Sequence, residues 1–316
     1  MHGLAVVNPR ASSFDRSRVD RCLRTLGSVL DLDVVETNAP RHAEELAAKA
    51  RAQAVDVVVV LGGDGTVNEA LCGLLADPGL PAPPLLASLP FGCVNVFSRH
   101  LGLGSSPEPA AVALAARLTA GARREIGVGH VATTTPGGSP DSRWFCLSVG
   151  IGFDADVVAA VERRRADGRP ASTLLYARCG VREFYRRGPR PRVSLDVDGR
   201  PVHGDAEVLI VGNHAPWTYA GSRPIWANPE ADWQRGLDAM TMARLSTVPT
   251  LRHLTRMIRK RRPTARDGHG VRHHLDLTEL RVTATVPVRW QVDGDAMPEA
   301  AGWTITAHPA AMSVPL

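Results

Sequence analysis

The most concentrated chemistry in the chain lies in Val57-Val58-Val59-Val60-Leu61-Gly62-Gly63-Asp64-Gly65-Thr66-Val67-Asn68-Glu69-Ala70-Leu71. An apolar strand runs into three glycines within four positions, and a helix is expected to begin at Thr66. Glycines there let backbone N–H groups approach a ligand closely, and amide donors at a helix start suit a phosphate. Asp64 stands mid-loop, where a carboxylate makes sense if it holds Mg²⁺, directly or through water, or accepts a proton. A tight turn capped by Thr66 would require less than this glycine content. Glu69 has a plainer reason to be there, because an acid in a helix's first turn is favoured by the helix dipole. The loop is neither a Walker A motif, having no Gly-Lys-Ser/Thr, nor a G-x-G-x-x-G dinucleotide fingerprint.

The elements that must position this loop follow from the surrounding pattern. Short β-branched runs at 4–7, 32–36, 55–61 and 85–89 alternate with amphipathic stretches at 16–29, 41–53, 66–76 and 108–120, the signature of a parallel sheet wrapped by helices. After Gly121 the texture turns to strands punctuated by turns, at 143–149, 192–197, 207–212, 240–245, 280–285 and 288–292, with helices near 172–187 and 248–261. The expected architecture is a Rossmann-like α/β domain over 1–125 and a mainly β, antiparallel sandwich domain over 126–300. A tail at 301–316 is expected to return to the first domain.

Composition narrows the classes. With 316 residues, 44% hydrophobic and 22% charged, the chain is that of a globular protein. The net charge of +5 comes almost wholly from arginine, since Lys49 and Lys260 are the only lysines, and scattered arginine alone does not argue for nucleic acid. Five cysteines with no C-x-x-C pair argue against a disulfide framework or a zinc site, and reduced, buried thiols are expected. There is no basic n-region followed by a long apolar stretch, and no apolar run approaches the ~20 residues of a bilayer span. The expectation is a cytoplasmic protein, peripheral at most on the inner membrane face.

Four further segments agree with the glycine loop. Asn8-Pro9-Arg10-Ala11-Ser12 resembles the Asn-Pro-x-Ser-Gly start of the diacylglycerol kinase and sphingosine kinase-like lipid kinases, whose loop shares Gly-Gly-Asp-Gly-Thr with NAD kinases. Pro90-Phe91-Gly92-Cys93-Val94-Asn95-Val96-Phe97-Ser98-Arg99 is similar to that family's Pro-x-Gly-Thr-x-Asn-Asp-Phe-Ala-Arg. Gly150-Ile151-Gly152-Phe153-Asp154-Ala155 resembles its Gly-x-Gly-x-Asp-Ala, and Asp293-Gly294-Asp295 its Asp-Gly-Glu, which folds back to the active-site cleft. The Thr-Pro-Thr-Gly-Ser-Thr-Ala-Tyr stretch of NAD kinases has only a loose echo in Thr134-Thr135-Pro136-Gly137-Gly138-Ser139, which reads as a polar loop.

The resemblance implies an NAD kinase/diacylglycerol kinase-like fold and an ATP- and Mg²⁺-dependent lipid kinase with its active site between the two domains. Its acceptor would be a hydroxyl of a diacylglycerol-like or sphingoid lipid. Asn8, Pro9, Arg10, Gly62, Gly63, Asp64, Gly65, Thr66, Gly92, Asn95 and Arg99 are the nucleotide-binding candidates. Asp64 and Asp293 are the acid candidates, with Asp293 narrowly favoured as base and Asp64 as the metal ligand, through water. Two alternatives stay open, a catalytically degenerate nucleotide- or lipid-binding protein and a kinase of a soluble acceptor such as NAD.

Departures from the family pattern motivate the first alternative. Cys93 replaces its threonine and Val96 its acidic residue, and Arg235 stands before Gly236 where the family's Asp-Asp-Gly is acidic, opposing a structural Mg²⁺ site. The segment 251–262, Leu251 to Arg262, reads as a basic amphipathic helix, with Leu251, Leu254 and Ile258 at helical spacing and arginines elsewhere, suited to an anionic membrane surface. His269, Arg272, His273 and His274 follow it without the arrangement of a metal site, and no aromatics interleave the basic groups as nucleic-acid binding would need. Trp217, Tyr219, Trp226 and Trp233 either line an acyl channel or are plain core.

Overall fold

The computed structural model describes residues 1–134, 141–167, 172–186, 191–268 and 270–316. The NAD kinase echo at 135–139 and His269 therefore lie outside the described residues. The chain divides into two compact units, Met1–Ile126 with Ala310–Leu316, and Gly127–Pro309.

The first unit holds β1 (His2–Val7), α1 (Arg16–Gly27), β2 (Asp31–Glu36), α2 (His42–Ala52), β3 (Val57–Gly62), α3 (Asp64–Leu75), β4 (Leu85–Pro90), α4 (Val96–His100) and α5 (Pro107–Ala120). Its four strands form a parallel sheet in the order β2-β1-β3-β4. The run Val57 to Leu61 is fully buried, the condition that favours an unbroken β-branched sequence over an alternating one. The alanines at helical spacing in α2, Ala43, Ala47 and Ala50, are its buried face. One boundary differs from expectation. The helix after the glycine loop starts at Asp64, not Thr66, because extended Gly63 takes the cap position and brings Asp64 into the first turn.

From there β5 (Arg123–Thr133) passes out of the first unit into the second. It is followed by β6 (Ser142–Phe145), β7 (Ser148–Gly152), α6 (Phe153–Ala166), α7 (Thr173–Phe184), β8 (Val193–Val197), β9 (Arg200–Ala206) and β10 (Val208–Gly212). The series ends with β11 (Thr218–Ala220), β12 (Arg223–Ile225), β13 (Leu237–Met242), α8 (Thr247–Met257), β14 (Val271–Leu277), β15 (Glu279–Val292) and β16 (Asp295–Pro315). A single hydrogen-bonded path runs β14-β13-β10-β7-β15-β16-β5-β6, with β8 on β15 and β9 on β8. Trp290, Trp303, Phe145, Ile151 and Leu209 fill its core.

Three features here differ from the sequence reading. Helix α6 occupies a stretch given no element in the sequence reading; its middle packs Ala160 and Val161 on α7 while its arginine-rich end hides the periodicity. The strands expected at 280–285 and 288–292 are one strand, β15, whose pairing slips between Thr283 and Val288, around Pro287. Helix α8 stops at Met257 rather than 261, because the Trp226 amide takes the Met257 carbonyl and Trp226 Nε1 takes that of Arg259. Among the described residues no helix is long and apolar enough to cross a membrane.

Candidate active site

In the order β2-β1-β3-β4 the chain leaves β1 to one side for β2 and returns on the other for β3, so the strand order reverses between β1 and β3 while all four strands stay parallel. In open α/β sheets ligands bind outside the carboxyl ends of the strands at such a point. Those ends carry Asn8-Pro9-Arg10 and Gly62-Gly63-Asp64. The structure thus brings the candidates from both segments together. The Asn8 amide N donates to the Leu61 carbonyl at 2.9 Å, and its side-chain Nδ2 donates to Thr66 Oγ1 at 2.9 Å. Asn8 Oδ1 accepts from the Arg10 amide at 2.9 Å, which turns the chain after Pro9 and leaves the Arg10 side chain exposed. The amides of Asp64, Gly65 and Thr66 lie in the first turn of α3, where no intrahelical acceptor exists.

The loop after β4 closes on the same place. A Cβ on Gly92 would lie 2.5 Å from the Gly63 Cα and 2.8 Å from Asn95 Oδ1, so two backbones touch where any side chain would part them. Asn95 adopts a left-handed conformation, tolerated best by short polar side chains, and grips Gly92 at both ends, Oδ1 accepting from its amide and Nδ2 donating to its carbonyl. Asp64 joins the two loops. Its carboxylate accepts from the amides of Val96 and Phe97, each at 3.0 Å, at the start of α4. The carboxylate missing at position 96 is therefore supplied to this helix start from Asp64, while the Val96 side chain is buried. Arg99 lies in the last turn of α4. Cys93, expected to be a buried thiol like the rest, is exposed on this loop, while the other four cysteines are buried. Glu69 caps a different helix from its own, accepting from the amides of Arg41 and Ala43 at the start of α2.

Ser13 belongs to the same constellation and escaped the sequence reading. Its hydroxyl donates to the carbonyls of Phe91 at 2.8 Å and Gly92 at 3.0 Å, fastening the loop after β1 to the loop after β4. The only signal for it was a serine pair, of which the motif resemblance pointed to Ser12.

Asp293 lies in the second unit, in the two-residue turn between β15 and β16, with φ of 48° there and 92° at Gly294, the positive values such hairpins need. Its carboxylate accepts from the amides of Cys146 (3.0 Å), Leu147 (3.0 Å) and Ser148 (2.8 Å), and from the Cys146 thiol at 3.5 Å. These contacts match the roughly four lone-pair sites a carboxylate offers. The same short connection between β6 and β7 is held by Asn213 Nδ2 and Trp233 Nε1 on the Cys146 carbonyl. Of the aromatic stretch, Trp233 is thus core, and Trp217, Tyr219 and Trp226 are half-buried.

Asp154 is buried beside Gly150, where a Cβ would fall 1.8 Å from its Oδ2, and that oxygen accepts from Gln291 Nε2 at 2.8 Å. Desolvation lifts its carboxyl from 3.8 to about 6, against the smaller opposing effect of Gln291. A folded-state pKa above the unfolded one means the folded protein holds the proton more tightly. This contribution is fully present below the unfolded value of 3.8 and is lost as pH rises from there through about 6. Asp154→Asn is therefore expected to raise stability at pH 7.5 by about 1–3 kcal/mol and to change it little near pH 4, read from urea unfolding at the two pH values. A loss of stability at pH 7.5 would show that the ionised form is the one the fold supports.

Arg235, at the family's acidic position, places its guanidinium 3.7 Å from Asp276 Oδ2, and Asp276 Oδ1 accepts from the Gly236 amide. The positive charge at this turn is an arginine's own.

Comparison with known proteins bears on family and fold. Residues 2–131 match the family model described as the diacylglycerol kinase catalytic domain. The chain is 30% identical over 294 residues to a diacylglycerol kinase of Mycobacterium tuberculosis, covering 90% of this chain and 84% of that one. It is 33% identical over 182 residues to a diacylglycerol kinase of Bacillus subtilis, covering 55% and 52%. A crystal structure of a diacylglycerol kinase from Bacillus anthracis superposes with a TM-score of 0.70 at 19% identity, covering 99% of this chain and 96% of the other. An NAD kinase from Archaeoglobus fulgidus, solved in complex with ATP, shares the fold at a TM-score of 0.51 and 15% identity over 99% and 93%.

Proposed function

Because the chain belongs to the diacylglycerol kinase family, we propose that it transfers the γ-phosphoryl group of ATP to a hydroxyl of a diacylglycerol-like lipid. The observation that carries this reading is the meeting of three loop segments where the strand order reverses, glycine backbone against glycine backbone, beside the first turn of α3 and its amides. Such amides, with the positive end of the helix dipole, suit the phosphates of a nucleotide. Asn8, Pro9, Arg10, Gly62, Gly63, Gly65, Thr66, Gly92, Asn95 and Arg99 are the residues assigned to hold it, the Arg10 and Arg99 guanidinium groups opposing phosphate charge.

Phosphoryl transfer needs a carboxylate to accept the acceptor's proton. Asp293 has its carboxylate occupied by three amides and a thiol, so the role passes to Asp64, and Asp293 becomes the residue that positions the connection between β6 and β7. When bound with the nucleotide, Mg²⁺ neutralises charge developing on the transferred group. Asp64 offers the hard oxygen ligand this loop could present to it, through water.

Labelled γ-phosphate from Mg·ATP, offered in parallel to diacylglycerol in mixed micelles and to NAD, tests the reading. An organic-extractable product is expected. Label on NAD alone would move the acceptor to a soluble metabolite. ATP binding with no transfer to either would leave the degenerate binding protein that Val96, Cys93 and Arg235 suggest.

A further inference from the structure

Helix α8 is amphipathic in an unusual sense. Its inward face is Thr250, His253 and Met257, all buried, with Met257 packed on Val208, Ile210, Met240, Met242 and Val271. The apolar residues at helical spacing point the other way: Val248 is 74% exposed, Leu251 57%, Leu254 44% and, just past the helix end, Ile258 40%. At 100° per residue, Arg252 and Arg256 fall on the sector between this exposed stripe and the buried face. A solvated helix has no use for an outward apolar stripe, whereas a helix lying in a bilayer surface has.

Behind the C-terminal end of α8 is a cavity of about 220 Å³, lined in part by His253, Arg256, Arg259, Arg266 and His273. Arg262 holds one wall, donating through Nε to the Pro229 carbonyl and through a terminal nitrogen to that of Ala231 at 3.3 Å. His253 is only 8% exposed, and its Nε2 is buried with no hydrogen-bond partner, as is Nδ1 of His273. Burial first, then His273 and Arg256, pulls the His253 imidazole down to about 4, so the ring is neutral and the surroundings are positive. Helix carbonyls that would repel an anion are already engaged, that of Met257 by the Trp226 amide and that of Arg259 by Trp226 Nε1. Two carboxylates also act on His273, Asp267 accepting from the His273 amide at 2.8 Å and Glu230 from the Ala265 amide at 3.2 Å; they keep their charge and are outnumbered by the three guanidinium groups. A buried polar group without a partner is costly, and here two imidazole nitrogens and three guanidinium groups share one small space.

We infer that this cavity binds the terminal phosphate of an anionic lipid, a phosphomonoester headgroup, while the exposed stripe of α8 rests in the bilayer surface. A monoester presents three oxygens to converging donors, where a diester must also bring its second ester group into the cavity. Under the reading above, such a lipid is the class of the reaction's product. Binding itself does not depend on turnover.

The test is co-sedimentation of the full chain, without ATP, with phosphatidylcholine vesicles that carry either phosphatidic acid or phosphatidylglycerol at matched surface potential. The parent protein is expected to prefer phosphatidic acid by about tenfold. Replacing Arg256→Gln with Arg266→Gln should abolish that preference. Replacing Arg252→Gln with Arg261→Gln removes the same charge outside the cavity, and should weaken binding to both vesicles alike while keeping the preference. No preference in the parent, or equal behaviour of the two double variants, would overturn the site. Inorganic phosphate that shifts the His253 ring resonances in a protein showing no vesicle preference would overturn the lipid as its ligand. A protein that shows the preference but transfers no phosphate would refute the kinase reading and leave this site standing.

Discussion

Asp64→Asn is expected to lower the rate of phosphoryl transfer by about 10²–10⁴-fold, the usual worth of a positioned general base. The substitution keeps size and leaves one carbonyl oxygen, so one of the two amide contacts at the start of α4 survives. The other meets an NH₂ group, donor against donor, at a local cost of about 1–3 kcal/mol. The protein should therefore stay folded and still bind ATP, with the loss concentrated in kcat. Single-turnover kinetics alongside ATP titration checks this. Retained turnover would remove Asp64 from the chemistry and make its work that of a brace between two loops.

Asp293→Asn should behave in the opposite way, costing about 3–5 kcal/mol of stability, because each hydrogen bond to a buried carboxylate contributes about 1.5–3 kcal/mol and the new amide donor faces amides that are themselves donors. Three such contacts converge here on a residue only 7% exposed. The urea midpoint is expected to fall with the denaturant slope unchanged. An unaltered midpoint with turnover lost would return the base role to Asp293. The two variants form a pair, in which one carboxylate is assigned to reaction and the other to architecture, and the two measurements exchange outcomes if the assignment is reversed.

Much of the first unit was legible in the sequence, because a parallel sheet buried on both faces demands long β-branched runs and the glycine loop has few other uses. What the sequence hid was mainly long-range. Asp293 and Cys146 are 147 positions apart, and nothing local in either segment says that a turn carboxylate will gather the amides of a distant connection. The start of α3 was misplaced by two residues because glycine can cap a helix without a side chain, leaving no letter to mark it. In 251–262 the period was clear, but periodicity shows that a helix has two faces and not which of them is covered. Only the packing of His253 and Met257 inward shows that the leucines face out.

The two strands that cross between the units, β5 and β16, have a consequence for how the chain is made. In topological terms the second unit is an insert within the first, since Ala310–Leu316 belong to the same unit as Met1–Ile126. The Leu316 amide bonds to the Ala122 carbonyl at 3.0 Å, and Met312 and Val314 are each 1% exposed. On the ribosome, the glycine-loop body is thus left without its Ala310–Leu316 segment until all of residues 127–309 have been synthesised. A stalled chain would present a finished glycine loop on an unfinished body, its missing segment still to be translated.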